Sequence, residues 1–386
     1  MSGYSALDLA PIRAFLTPHH DAIADRALAF ARDHLLPMPA PTTDAEGRLQ
    51  ARRVLDHLAG SGLLAAIAPF DLRACCLIRE ALAWASPLAD EVFALQALGA
   101  MPILLAGDVD QHARFAAGLV EGTHMGGFAM TEPQAGSDVG ALTTRAVKDG
   151  DGYRLDGFKT LISNAGIADQ YVVFASTDPA AGAKGLSCFV VPAGTDGLRF
   201  VRPLVLSAPH PLGELAFEGC WVPESARLGP EGAGFRTGMA TLDRLRPTVA
   251  AAATGMAARA LDESLSYVKS RSQFGRPIAE FQLVQDKLAV MATELTASRL
   301  LLYRAAWEHD TATTPGKRLT LESAMAKSYA TEAAQRIVDS AVQLHGGSGV
   351  LADSVVDRLY RSVRALRIYE GTTEVQHLVI ARHLLG

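Results

Sequence analysis

The sequence predicts an α+β protein in three successive parts: an N-terminal helical domain over residues 1–122, a central β-barrel or β-sandwich domain over 123–231, and a C-terminal helical bundle over 232–386. Two observations carry that reading. Apolar residues recur at helical spacing toward both ends of the chain, whereas the middle is cut into short β-rich runs by glycine, proline and aspartate. No internal repeat and no low-complexity linker interrupts the order, so each change of period marks a change of architecture.

The elements follow in order. Segments 12–36, 51–64 and 77–85 carry apolar residues at helical spacing, and four to six helices are expected before residue 122. Strand-length runs follow at 153–158, 171–176, 185–192, 198–206 and 213–223, a spacing that fits a small barrel or sandwich. From residue 232 the helical period returns, with breaks near 275–277, 313–316 and 346–349. The Ala-rich stretch 249–260 predicts close helix-to-helix approach, in the bundle core ahead of a subunit interface.

Composition excludes several classes of function. With 49% apolar and 20% charged residues the chain is an ordinary globular protein, and a net charge of -5 leaves no broad basic surface for nucleic acid. Anionic ligands must then be met by single arginines. Cys75, Cys76, Cys188 and Cys220 show neither CxxC nor His-paired spacing, so no metal site and no disulfide framework is expected, and a reducing cytoplasm fits best. The first residues lack a basic stretch leading into an apolar core, so no secretory signal is expected. The longest charge-free stretch, 92–107, holds Gln96 and Pro102 and falls short of the roughly 20 residues of a membrane span, so membrane embedding is not expected.

Five short blocks carry candidate chemistry. Tyr369-Glu370-Gly371-Thr372 sets a carboxylate on a turn before the last helix, which suits either a dipole-complementing surface residue or a general base. In Met130-Thr131-Glu132-Pro133-Gln134-Ala135-Gly136-Ser137-Asp138, Gly136 would allow an unusual backbone angle beside hydroxyls and amides able to hold a polar ring system, although the same residues are plain turn formers. Lys159-Thr160-Leu161-Ile162-Ser163-Asn164-Ala165 reads as a strand end running into a turn. Arg271-Ser272-Gln273-Phe274-Gly275-Arg276-Pro277 closes a long helix, where the arginine either caps its helix or forks onto a pyrophosphate and Phe274 can stack on a ring. Gln343-Leu344-His345-Gly346-Gly347-Ser348-Gly349 is a glycine-rich helix end, a C-cap or an anion-facing row of backbone N–H groups.

In this order, on a helix-sheet-helix background, the Thr-Glu-Pro-x-Ala-Gly-Ser-Asp, Arg-x-Gln-Phe-Gly, Gln-x-x-Gly-Gly-x-Gly and Tyr-Glu-Gly-Thr blocks resemble the acyl-CoA dehydrogenase family over residues 98–386, and more loosely through the N-terminal helices. The resemblance implies FAD. Thr131, Gly136 and Ser137 would line the isoalloxazine, with Ser137 also on the thioester side, and Ser163 takes the position whose hydroxyl sits near flavin N5 in relatives. Arg271, Gln273 and Phe274, with Gln343, Gly346 and Gly347, would reach the pyrophosphate and adenine end of an FAD held mainly by a neighbouring subunit. Thr372 and Glu374 match cofactor contacts after the catalytic turn, and Asp243 and Arg246, three residues apart on one helix face, match an Asp and an Arg near the acyl thioester. Such shared sites imply a homo-oligomer, a tetramer or dimer, and the resemblance makes electron-transferring flavoprotein a candidate partner.

By the same resemblance, Glu370 would remove the α-proton while a hydride leaves the β-carbon for flavin N5, giving a trans-enoyl thioester. The thioester carbonyl would be polarised by the backbone N–H of Glu370 and a ribityl hydroxyl. Some relatives carry the base immediately before the helix arginine; here that position is Leu245, which cannot take a proton.

Two departures bear on substrate and acceptor. Leu161 stands where many relatives carry a Trp against one flavin face, near the docking place of electron-transferring flavoprotein, so an oxidase passing electrons to oxygen is a second reading. A scaffold subunit without catalysis is a third, opposed by the retained Glu370 and Arg271. The segment 206–214, Leu-Ser-Ala-Pro-His-Pro-Leu-Gly-Glu, lacks the basic residues relatives place there, which leaves room for an acyl carrier protein beside CoA as the thioester carrier. Arg202 and Arg227 flank it. His210, between two prolines, reads as a surface loop residue.

Overall fold

Residues 7–313 and 319–386 are described by the computed structural model; the expected break at 313–316 lies, from residue 314 on, outside the described residues. Helices α1 (Pro18–Phe30), α2 (Asp44–Ala59), α3 (Leu72–Ala85) and α4 (Pro87–Ala106) follow one another, with short turns α5 (Val109–Gln111) and α6 (Ala117–Glu121) behind them. Local chemistry fixes their starts. The Thr43 hydroxyl accepts from the Glu46 N–H at 3.2 Å while the Glu46 carboxylate takes the Thr43 N–H, and Asp71 accepts from the Ala74 N–H at 2.9 Å.

The stretch 92–107 belongs to a helix longer than its charge-free core. At 20 residues α4 is long and apolar enough, by length and composition, to cross a membrane, yet 78% of its apolar window is buried inside the protein. Gln96 is buried with it. Its amide N–H groups reach the carbonyls of Leu119 and His124 and its oxygen takes the Gly126 N–H at 2.9 Å, so a polar side chain sits at full burial without an unpaired atom.

The middle of the chain forms β1 (Gly126–Ala129), β2 (Arg145–Asp149), β3 (Gly152–Ser163), β4 (Gln170–Ser176), β5 (Leu186–Pro192), β6 (Leu198–Pro203), β7 (Leu212–Pro223) and β8 (Arg227–Leu228). They share one sheet in the order β6-β7-β3-β2-β4-β5-β8, with β1 lying parallel to β4. All five expected strands are present, and the 198–206 run ends as a strand at Pro203, with the Leu204 N–H still donated to the Leu212 carbonyl at 2.9 Å. Tyr153, Leu155, Val173, Phe189, Leu215 and Phe217 form the buried face. The β3–β7 register slips between Lys159 and Ile162, which turns Leu161 out of the ladder.

From residue 234 the chain is helical: α7 (Gly234–Ser270), α8 (Gln282–Asp310), α9 (Thr320–His345), α10 (Val355–Leu366) and α11 (Thr373–Leu385), with the small β9 (Ser272–Gln273) and β10 (Arg276–Pro277) pair after α7. The Ala-rich stretch lies in the core as expected, with Val249 to Ala253 fully buried. Gly255 shows how close the helices come: a Cβ there would stand 2.2 Å from the Glu80 carbonyl of α3. Glu80 itself is buried between Arg299 Nε at 2.7 Å and the Tyr303 hydroxyl at 2.8 Å, a satisfied ion pair joining α3 to α8.

Contacts divide the chain into two compact units. One contains the described residues up to Pro39, Asp71–Asp90 and Asp243–Gly386; the other contains Ala40–Phe70 and Glu91–Leu242.

Candidate active site

In the first unit, Glu370 sits on the turn between α10 and α11. The turn is held on every side. Thr372 caps α11 by accepting from the Val375 N–H at 3.3 Å, and Gly371, at φ +94°, leaves 2.4 Å between a would-be Cβ and Gln376 Nε2. The Glu370 carbonyl accepts from Arg246 Nε and Gln376 Nε2, each at 3.3 Å. The Gly371 carbonyl accepts from Lys327 Nζ at 2.7 Å and Gln376 Nε2 at 3.0 Å. Glu370 is thereby fixed at φ +53°, a backbone state that costs a side-chain residue about 1–3 kcal/mol.

The carboxylate is the group this scaffold presents. Glu370 Oε2 is sealed from solvent and has no hydrogen-bond partner. Burial pushes its pKa above the ordinary carboxylate range, while the Arg79, Lys327 and Arg246 charges pull it back and Asp90 adds to the rise. Arg79 and Asp90 form a buried bidentate pair at 2.6 and 2.8 Å, with the remaining Arg79 nitrogen on the Thr248 hydroxyl at 2.7 Å. Lys327 is buried too, and desolvation lowers its pKa to about 8 against the opposing pull of Glu370.

Lys327 gives a first prediction. Lys327→Met removes a positive charge that favours ionised Glu370, so the carboxyl pKa rises further. A base works ionised, so the acid limb of kcat/KM against pH should move to higher pH. An unmoved limb would show that Lys327 serves only the Gly371 carbonyl.

Asp243 and Arg246 pair with each other on one face of α7, and Asp243 Oδ2 also accepts from the Thr320 hydroxyl at 3.1 Å. Arg246 reaches the Glu370 carbonyl, so these three sequence candidates are brought together. Leu245 points into the core at 1% exposure. At the far end of α7, the Arg271 and glycine-rich blocks are joined through Tyr267, which stacks on His345 with ring centroids 4.3 Å apart and donates to its carbonyl. Arg271, Gln273, Gln343, Gly346 and Gly347 are exposed, and Phe274 offers its ring at 94% exposure. Glu374 is exposed in the first turn of α11.

In the second unit, the block from Thr131 to Asp138 is organised by Glu132. Buried at 2% exposure, its carboxylate takes the N–H groups of Thr143 at 2.7 Å and Thr144 at 3.0 Å and pairs with Lys159 Nζ at 2.8 Å. Those contacts and the Lys159 charge overcome its burial and hold its pKa at about 2. Thr131 is half-buried and Ser137 exposed on the loop so held. The expectation for Gly136 is corrected: its φ lies outside the left-handed region, and a Cβ there would meet nothing within 4 Å, so what the residue supplies is open approach to the loop.

Ser163 ends β3, half-buried, and His210 is a second correction. Instead of standing on a surface loop, His210 is buried, its Nε2 lies 2.8 Å from the Ser163 hydroxyl, and its Nδ1 faces the Glu91 carboxylate. The prolines hide it: Pro209 packs on Gly47, and the Pro211 carbonyl takes the Asn164 N–H at 2.8 Å. Arg202 and Arg227 are occupied as well, by Glu214 and Glu224.

Backbone conformation links the blocks independently of contacts. Among the described residues the non-glycine positions at positive φ are Leu161, Asn164, Phe274 and Glu370, and every one falls inside a sequence block singled out above. Strain of this kind persists where surrounding structure enforces it, and it concentrates at ligand and catalytic sites.

Known proteins match the same blocks. Residues 127–220 match the acyl-CoA dehydrogenase middle domain and residues 232–385 the acyl-CoA dehydrogenase C-terminal domain. The 3-(aryl)acrylate reductase of Clostridium sporogenes is 39% identical over 381 residues, 96% of this chain and 100% of its own. The chain belongs to the acyl-CoA dehydrogenase family. The caffeyl-CoA reductase-Etf complex subunit CarC of Acetobacterium woodii is 40% identical over 74% of each chain. Butyryl-CoA dehydrogenase from Megasphaera elsdenii superposes with a TM-score of 0.89 at 34% identity, covering 96% of this chain and 99% of its own.

As a member of the acyl-CoA dehydrogenase family this enzyme is an FAD-dependent oxidoreductase acting on CH–CH groups of acyl thioesters. Its residues fit the cofactor. In the second unit the open approach over Gly136 and the exposed Leu161 side chain suit an apolar ring system, and in the first unit the uncovered Phe274 ring and the exposed Arg271 suit stacking and anion binding. Lys327, Arg79 and the His210–Glu91 pair were not legible as site residues, because each reaches the site only through folding of distant segments, whereas Gln376 lies five and six residues from its partners and was simply not singled out.

Proposed function

We propose that Glu370 is the base that takes the α-proton of an acyl-CoA thioester, and the observation that carries it is the buried, unpartnered Oε2 on a strained turn. The raised pKa suits a carboxylate that must compete for a weakly acidic C–H. Arg246, Gln376 and Lys327 hold the turn rigid, so the carboxylate needs no reorganisation to meet the α-carbon. The Glu370 N–H polarises the thioester carbonyl, and Asp243 with Arg246 lines the acyl side. Bound FAD supplies the acceptor for the β-hydride. Thr131, Gly136, Ser137, Leu161 and Ser163 line its ring system, Thr372 and Glu374 are cofactor contacts after the catalytic turn, and Arg271, Gln273, Phe274, Gln343, Gly346 and Gly347 reach the pyrophosphate and adenine end of an FAD held mainly by a neighbouring subunit.

The working enzyme on this reading is a cytoplasmic homo-oligomer, most simply a tetramer, with the divisions 1–122, 123–231 and 232–386 as its functional parts. It passes electrons to an electron-transferring flavoprotein, a choice supported by a relative that is itself a subunit of an Etf complex. CoA is favoured over a carrier protein as the thioester carrier because Arg202 and Arg227, the basic residues flanking 206–214, are already paired with Glu214 and Glu224. Flavin bleaching with one acyl chain on each carrier decides that point: faster reduction by the carrier-protein form would reverse it.

Arg271 tests the cofactor assignment. Arg271→Ala should weaken FAD retention by about 1.5–3 kcal/mol, the value of a charge-assisted contact, and loosen the oligomer with it. Gel filtration with the flavin-to-protein absorbance ratio reads both. A fully flavinated variant of unchanged assembly would reduce Arg271 to a cap on its own helix.

A further inference from the structure

We infer that His210, oriented by Glu91, is a positioning residue that fixes the polarity of the hydrogen bond Ser163 offers to FAD, so that this serine favours the reduced cofactor over the oxidised one. The inference rests on the reading of Ser163 as the hydroxyl beside flavin N5. Beyond that it stands on three side chains of this chain. Glu91 lies on α4, His210 in the loop before β7, and Ser163 at the end of β3.

The loop cannot turn His210 elsewhere. Ser163 and Leu212 are paired in the β3–β7 ladder, the Asn164 N–H is donated to the Pro211 carbonyl at 2.8 Å, and the Leu204 N–H to the Leu212 carbonyl at 2.9 Å. Prolines on both sides restrict the backbone further. The imidazole is therefore delivered buried, with Nε2 in hydrogen-bond reach of the Ser163 hydroxyl and Nδ1 against the Glu91 carboxylate without a hydrogen bond to it.

Donor and acceptor roles follow from the partners. Glu91 does not stand in hydrogen-bond geometry to Nδ1, but its negative charge lies against that nitrogen and favours a proton there, so the ring proton is assigned to Nδ1. With the one ring proton so placed, Nε2 is bare and accepts, and the Ser163 hydroxyl donates its single proton to it across 2.8 Å. What Ser163 has left to offer is lone pairs. Oxidised flavin N5 has no hydrogen and needs a donor, whereas reduced N5 carries a hydrogen and needs an acceptor. A serine held this way stabilises only the second. Without His210 the hydroxyl is free to rotate and donate to the oxidised ring.

Potentiometric titration of the purified holoenzyme tests this. The double variant His210→Leu/Glu91→Gln removes the acceptor without leaving a lone carboxylate. It should lower the flavin midpoint potential by about 30 mV, which is a tenfold loss in relative affinity for the reduced form in a two-electron couple. Ser163→Ala should lower the potential as well, and adding the double change to it should give no further shift. If Ser163→Ala shifts the potential but the double variant leaves it in place or raises it, His210 does not set the polarity and the inference fails alone. If Ser163→Ala shifts nothing, the placing of Ser163 beside the flavin is wrong and the inference falls with it. Should the double variant not fold, nitrogen NMR of the His-labelled parent holoenzyme decides: a bare Nε2 and a protonated Nδ1 support the inference, and a protonated Nε2 overturns it.

Discussion

Glu370→Gln is expected to cut turnover by about 100-fold to 10,000-fold, the range for loss of a positioned general base, while fold and FAD content are kept. The amide is nearly isosteric with the carboxyl and cannot accept the α-proton. The same change should stabilise the protein at neutral pH. Burial raises the Glu370 pKa, so the folded state binds the proton more tightly than the unfolded chain and ionisation costs stability as pH rises through and above the ordinary value of 4.5. Gln carries no such cost. Thermal unfolding should therefore show the variant above the parent at pH 7 and the two converging below pH 4.5. Turnover of an acyl thioester near the parent rate would remove Glu370 from the base position, and identical melting at every pH would remove the desolvation argument.

Lys159→Met is expected to have the largest effect on stability, a loss of about 3–5 kcal/mol, because it leaves the Glu132 carboxylate buried without its counter-charge. The loop carrying Thr131, Gly136 and Ser137 hangs on that carboxylate through Thr143 and Thr144, so flavin binding should fall with it. Replacing both partners, Lys159→Met with Glu132→Gln, should recover much of the loss, since a neutral pair needs no counter-charge. The parent also has a pH signature. Its Glu132 pKa is depressed from 4.5 to about 2, so the stability this group supplies is complete above pH 4.5 and drains away as pH falls toward 2. The double variant should lose that acid dependence. Equal melting temperatures for parent and Lys159→Met would mean the pair is not what holds the loop.

The chain by itself determined what depends on neighbours in sequence. Hydrophobic period separated helix from strand, glycine and proline marked the ends, and the turn at Tyr369-Glu370-Gly371-Thr372 was readable because a carboxylate, a glycine and a capping threonine stand side by side. Tertiary structure decided what depends on residues far apart. Lys159 and Glu132 are 27 positions apart, Lys327 and Gly371 are 44, and Ser163 and His210 are 47. No local pattern records such pairs. His210 shows the consequence: flanked by prolines it has the composition of an exposed loop, and only packing against β3 and α4 buries its ring between a serine and a carboxylate. Gly136 shows the converse, a glycine whose type suggested a special angle but whose fold leaves φ ordinary and the space above it open. Protonation belongs to the same category, because the field at Glu370 is the sum of burial and of Arg79, Lys327, Arg246 and Asp90, groups drawn from three separate stretches of chain.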